Sequence, residues 1–97
     1  MPTYVTLYKF TDQGIKTIKE IPNRIEEAIK NYEKMGGKVI GVYPVMGEYD
    51  IVAIGEAPSD ETAMTFLLAL GSQGNVRTTT LKAFTAEEFK EIVTKLP

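Results

Sequence analysis

Two runs of alternating residues, Lys38 to Met46 and Tyr49 to Glu56, are separated by only Gly47-Glu48. That spacing predicts a β-hairpin closed by a two-residue loop, and a leading glycine suits a type II′ turn. Residues directly opposite in such a hairpin share a face. Met46/Tyr49, Pro44/Ile51, Val42/Ala53 and Ile40/Gly55 then form one surface, and Val45/Asp50, Tyr43/Val52, Gly41/Ile54 and Val39/Glu56 the other. Both surfaces are mostly apolar. A sheet with one wet face alternates apolar and polar residues, so this hairpin has to be covered on both sides. Pro44 brings no backbone donor, which places its strand at an edge of the sheet.

The remaining elements follow from periodicity and punctuation. Thr3 to Phe10 alternates, with Tyr4, Thr6, Tyr8 and Phe10 on one side and Val5 and Leu7 on the other. Thr11 to Ile21 reads as a long connection with a short helix. Asn23 is expected to cap the next helix, with Glu26 at the capping-box position and Ile25, Ala28, Ile29, Tyr32 and Met35 on one face, ended by Gly36-Gly37. Pro58-Ser59-Asp60-Glu61 opens an apolar helix that closes near Gly71 and Gly74. A Thr-rich strand, Val76 to Phe84, precedes Thr85-Ala86-Glu87-Glu88, a capping box for a last helix carrying Phe89, Ile92, Val93 and Leu96.

The order β-α-β-β-α-β-α, with right-handed crossovers, reduces to a ferredoxin-like α+β fold. It predicts a four-stranded antiparallel sheet in the order 4-1-3-2, helices on one face, and a C-terminal helix. Ninety-seven residues suffice for one domain, 1–97, because a chain of this size buries only about 60–65% of its unfolded surface. Helices on one face leave the other apolar face bare, and bare patches of several hundred Å² are rare on monomers. A face-to-face homodimer, or a larger homo-oligomer built from it, is the simplest closed solution.

Composition removes whole classes of chemistry. The chain has no Cys, His or Trp, which excludes thiol and imidazole nucleophiles, Cys/His zinc sites, His-ligated haem and disulfides. No cofactor and no metal site are expected. A net charge of −2 disfavours nucleic acid as a partner. No apolar run approaches the ~20 residues of a membrane span and no basic leader precedes the first strand, so the expectation is a cytoplasmic protein without a membrane partner.

The run Gly47-Glu48-Tyr49-Asp50-Ile51-Val52-Ala53, together with Gly71-Ser72-Gln73-Gly74-Asn75-Val76-Arg77-Thr78-Thr79-Thr80, resembles the GYD-domain family, with Glu48 inserted in the name-giving triplet. The likeness spans nearly the whole chain, including Thr11-Asp12-Gln13-Gly14 and Phe84-Thr85. It implies the dimeric α+β barrel arrangement and carries no established activity. Val39 to Thr80 is more distantly similar to the ligand-sensing domain of Lrp/AsnC regulators, without their DNA-binding helix-turn-helix. That likeness implies a free-standing sensor for an amino acid or similar molecule at a subunit interface. Cofactor-free monooxygenases and isomerases share the barrel, but their usual His, Trp or Asn pockets have no counterpart here.

Asp50 is the one acid inside the apolar hairpin. The strand order sets Asp50 and Arg77 on either side of Lys9 and Phe10, and with strands ~4.8 Å apart they lie roughly 10 Å from each other, the span of a small ligand charged at both ends. Acids near hairpins often serve structure instead, and Asp50 suits a cap of the Gly47 turn or a pairing with Lys9 that fixes register. Arg77 suits a carboxylate clamp or an inter-subunit ion pair. Tyr8 and Tyr43 are the nearby hydroxyls, and tyrosines on strands commonly just pack. Met64, Phe66, Leu67, Leu68 and Leu70 suit a cavity wall or plain core. The leading expectation is a homo-oligomeric module binding a small metabolite near the subunit interface through Asp50, Arg77, Tyr8 and Tyr43. The alternatives are a cofactor-free oxygenase or isomerase using Tyr or Asp50 as base, and a purely structural interaction domain.

Overall fold

A computed structural model describes all residues, 1–97. Strand β1 (Thr3–Phe10) leads through a short helix α1 (Asp12–Lys16) and a 3-10 turn (Ile18–Glu20) into α2 (Ile21–Lys34). The hairpin β2 (Lys38–Pro44) and β3 (Ile51–Glu56) follows, then α3 (Asp60–Ser72), β4 (Val76–Ala83) and α4 (Ala86–Thr94). The sheet is antiparallel throughout in the order β2-β3-β1-β4. This is the expected 4-1-3-2 arrangement read from the opposite edge, and Pro44 lies on an edge strand.

Alternation assigns the two faces. Tyr4 pairs with Gly55, Thr6 with Ala53 and Tyr8 with Ile51 on the side of α2 and α3. Val5 opposite Ile54 and Leu7 opposite Val52 look the other way, where no helix of this chain lies. Helix α2 packs over β2 and α3 over β4. They meet through the Tyr32 and Phe66 rings, whose centroids are 4.8 Å apart in an edge-on arrangement. Around this wedge sit the buried residues Tyr4, Ala57 and Ala63. A Cβ at Gly37 would run into the Tyr32 ring, so the helix can turn into β2 this tightly only at a glycine. Gly36 supplies the left-handed residue, with φ at 92°, that ends α2.

Three local expectations need correction. Helix α2 begins at Ile21, two residues before Asn23, because the 3-10 turn runs straight into it and Pro22 fits its first turn; no side chain caps it. The hairpin is not closed by two residues. β2 ends at Pro44 and β3 starts at Ile51, leaving Val45 to Asp50 as a loop joined by the Val45 N–H to the Asp50 carbonyl at 2.9 Å. Asp50 leaves the ladder because its own N–H donates to the Tyr8 carbonyl at 2.8 Å. The pairing of Pro44, Tyr43, Val42 and Gly41 is as expected, but the register then slips, with Val39 opposite Gly55 and Ile40 in the irregularity between. The capping box of the last helix needs no such correction: Thr85 and Glu88 form it completely.

Helix α4 touches little else. Phe89 and Leu96 are 62% and 66% exposed, and the molecule is drawn out to 52 Å along its longest axis. Only eight residues are buried in the chain by itself, few for a sheet this apolar.

The exit of β1 is fastened to the start of β4. Thr11 N–H donates to the Asn75 carbonyl at 3.0 Å, the Thr11 hydroxyl to the Gly74 carbonyl at 2.6 Å, and Gln13 Nε2 to the Gln73 carbonyl and Asn75 Oδ1. Gly14 is buried where a Cβ would collide with the Asn75 carbonyl oxygen. Replacing Gly14 by Ala is therefore expected to cost about 1–3 kcal/mol as an overpacked site, measured by urea unfolding; an unchanged midpoint would show that the fastening yields freely.

Candidate functional site

A cavity of about 120 Å³ lies between the sheet and the α2–α3 pair. Its walls are apolar over most of their extent, formed by residues such as Phe10, Ile25, Ala28, Ala53 and Leu70. It lies beside the Tyr32–Phe66 contact, with α2 set over β2 and α3 over β4. Tyr4, Thr6, Tyr8, Tyr32 and Thr80 add hydroxyls, and Arg24, Gln73 and Asn75 complete the lining.

Most of these polar groups are already engaged. Tyr4 donates to Asp60 Oδ1 at 2.5 Å, and Lys82 Nζ sits 3.2 Å from the same oxygen. Tyr32 donates to the Glu56 carbonyl at 2.7 Å, and the Thr6 and Thr80 hydroxyls pair at 3.2 Å. Tyr8 is the one lining tyrosine whose hydroxyl has no partner within the chain. Arg24 Nη1 donates to Thr17 Oγ1 at 2.8 Å, and Nη2 lies 3.6 Å from Glu20, which leaves guanidinium donors over.

Burial pushes the Tyr8 phenol up to about 12. The Tyr4 phenol is also raised to about 12, first by burial and then by the Asp60 carboxylate that accepts its proton. Asp60 is held below the usual carboxylate range by the hydrogen bonds from Tyr4 and then Lys82. At neutral pH the cavity therefore presents the Tyr8 hydroxyl in its protonated, donating form.

The four residues expected to surround one ligand are not gathered in one place. Tyr8 faces the cavity, whereas Tyr43 lies over Gly41 opposite Val52 on the uncovered face. Arg77 is exposed on β4 opposite Lys9. Asp50 uses Oδ2 to accept the Phe10 N–H at 2.8 Å, so its carboxylate ties β1 to the hairpin loop. Lys9 turns instead to Glu48 at 3.8 Å and lies 5.2 Å from the Tyr49 ring centroid. Arg24, Gln73 and Asn75 escaped the sequence reading. Arg24 adjoins Ile25 and precedes Ala28 by one turn, at the margin of the apolar stripe of α2, and a lone cation there resembles an ordinary solvated residue.

No group of three or more Asp or Glu side chains is placed to hold a metal ion. No helix is long and apolar enough to cross a membrane.

Comparison with known proteins places this geometry in context. The family model of the GYD domain matches residues 4–93. The chain is 39% identical over 84 residues to a Thermus thermophilus protein described as "Glutamine synthetase and cystathionine beta-lyase binding protein", covering 86% of this chain and 88% of that one. Among solved structures, TTHA0845 from Thermus thermophilus superposes with a TM-score of 0.57 at 27% identity, over 89% of this chain and 96% of the other. FFRP-DM1 gives 0.57 at 20% identity, over 87% of this chain and all of the other. MtbAldR gives 0.61 at 15% identity over 87% of this chain, which spans only 52% of that protein. At these identities the last two show a shared fold and nothing more.

Two outcomes are expected. Asp50→Ala leaves the Phe10 N–H without its charged acceptor and should cost about 1–3 kcal/mol in denaturant unfolding; unchanged stability would release Asp50 from its structural duty. The raised tyrosines work in the alkaline range. Folded Tyr4 and Tyr8 keep their protons to about pH 12 while unfolded tyrosines lose theirs from 10.0. Their contribution to stability is thus full below pH 10 and lost between pH 10 and 12. Tyrosinate absorbance followed beside the unfolding midpoint tests this, and Tyr8→Phe should flatten the decline.

Proposed function

The chain belongs to the GYD domain family, and on that footing we propose that it is a self-associating binding module that holds a small molecule in the cavity between its sheet and α2–α3. The observation that carries this reading is the cavity itself, apolar in its walls, with the unpartnered Tyr8 hydroxyl among its lining groups. A hydroxyl kept protonated to about pH 12 is a lasting donor and a poor base near neutrality. The oxygenase or isomerase alternative has little to work with here, since no carboxylate lines the cavity. The reading keeps Tyr8 as a ligand contact and moves the contact set towards Arg24. Asp50, Arg77 and Tyr43 then belong to the end and the far face of the sheet, where a second copy would approach.

Self-association is supported by the uncovered face. Val5, Leu7, Val52 and Ile54 form its middle, and Tyr43 and Leu81 are 54% and 52% exposed. An apolar surface this broad is unusual on a monomer, and a two-fold axis covers it twice with one kind of contact. The exposed stripe of α4 and the name of the Thermus relative favour a second use, docking onto other proteins. A cytoplasmic setting accords with both uses.

Native mass spectrometry of freshly purified protein tests the reading. A dimer or a multiple of dimers carrying additional small-molecule mass is expected, and Leu81→Glu should shift the population towards monomer. A wild-type monomer at micromolar concentration would remove the self-association.

A further inference from the structure

Resting on the reading of the cavity as a binding site, we infer that its ligand is a single small apolar group, one ring or a branched chain, bearing a neutral or anionic acceptor, and that amines and zwitterionic amino acids are refused. Size sets the first limit. An apolar cavity of ~150 Å³ holds one benzene, so about 120 Å³ holds at most one ring or its aliphatic equivalent, with a substituent reaching the rim.

Charge sets the second. Among the lining residues there is one cation, Arg24, and no Asp or Glu. The acids close by are spoken for: Asp60 is held by Tyr4 and Lys82, and Glu20 leans on Arg24 itself. An ammonium group carried into this space would lose water and meet no anion, whereas a carboxylate or carbonyl meets donors. The Tyr8 hydroxyl and the uncommitted guanidinium donors of Arg24 match an acceptor, as do the side-chain amides of Gln73 and Asn75 at the same cavity. The uncharged walls do the rest by displacing water from the ring or chain.

This separates the chain from an amino-acid sensor, which has to satisfy an α-ammonium as well as a carboxylate. The distinction depends on which charges line the cavity and is independent of the fold.

The test is a titration of isotope-labelled protein with benzoate, benzyl alcohol, benzylamine and L-phenylalanine, followed by the amide resonances of Thr6, Tyr8, Phe10 and Leu70. Benzoate and benzyl alcohol should shift these resonances to saturation, and the two ammonium-bearing probes should bind at least about tenfold more weakly. Arg24→Gln should weaken benzoate about tenfold, as loss of a hydrogen bond to a charged group does, and leave benzyl alcohol nearly unchanged. Tyr8→Phe should weaken both. Ala28→Phe, which fills the space, should abolish all binding in a protein that still unfolds cooperatively. Benzylamine binding as tightly as benzoate would overturn the inference while leaving the cavity a binding site. Failure of every probe to move these resonances would overturn the inference and the binding-site reading together.

Discussion

Four alternating strands generate two apolar surfaces, and a chain of 97 residues carries only two long helices to lay on them. Both helices go to the same side, because right-handed crossovers joined by a hairpin allow nothing else. The far side is left to whatever the protein meets. The near side is not closed either: α2 and α3 follow opposite edges of the sheet and touch through Tyr32 and Phe66, so the layer is tight at one place and opens away from it. The same shortage of helix thus accounts for the uncovered face and for the cavity. It also accounts for the thin core, in which no large side chain is wholly enclosed.

The residues that mark the family are, in this chain, mostly fasteners. Thr11, Gln13 and Gly14 meet Gln73, Gly74 and Asn75 through backbone and amide hydrogen bonds. Gly74 adopts φ of 83° at the turn, which glycine does at little cost. Asp50, the last residue of the name-giving motif, accepts the Phe10 N–H at the same end of the sheet. All of them hold the exit of β1, one of the two central strands, from which Tyr4, Thr6 and Tyr8 project towards the helices. A motif can therefore be specific to a family while most of its side chains serve to hold the fold together.

The sequence was most informative where a pattern has one physical meaning. Alternation in β1, the Thr85–Glu88 box and the proline in β2 were legible because each reflects a local rule that tertiary packing did not overrule. Asn23 has the chemistry of a cap, but the 3-10 turn before it feeds Pro22 into the helix two residues earlier. Gly47-Glu48 has the chemistry of a two-residue turn, but β1 holds the Asp50 N–H through the Tyr8 carbonyl, a long-range contact that no local turn preference encodes. Tyr8 could be placed on a strand from its spacing, yet whether it faced Tyr43 or turned away followed only from the register: both side chains were polar-tipped, and only one had a helix above it. Arg24 was invisible because a cation beside an apolar stripe looks alike whether it borders a cavity or water.

The rims of the sheet have a consequence of their own. A strand joins an existing sheet by matching an unbroken row of free donors and acceptors along its edge. Along β2 that row is interrupted twice, at Pro44, which has no N–H, and near Ile40, where the register slips. Along β4 Arg77 is an exposed cation on the free edge strand, which repels a like strand. Sideways growth is discouraged at both ends, while the broad face remains available. Contacts made through a face can close on themselves, whereas contacts made through an edge repeat without limit, so blunted edges guard this sheet against growth into fibres.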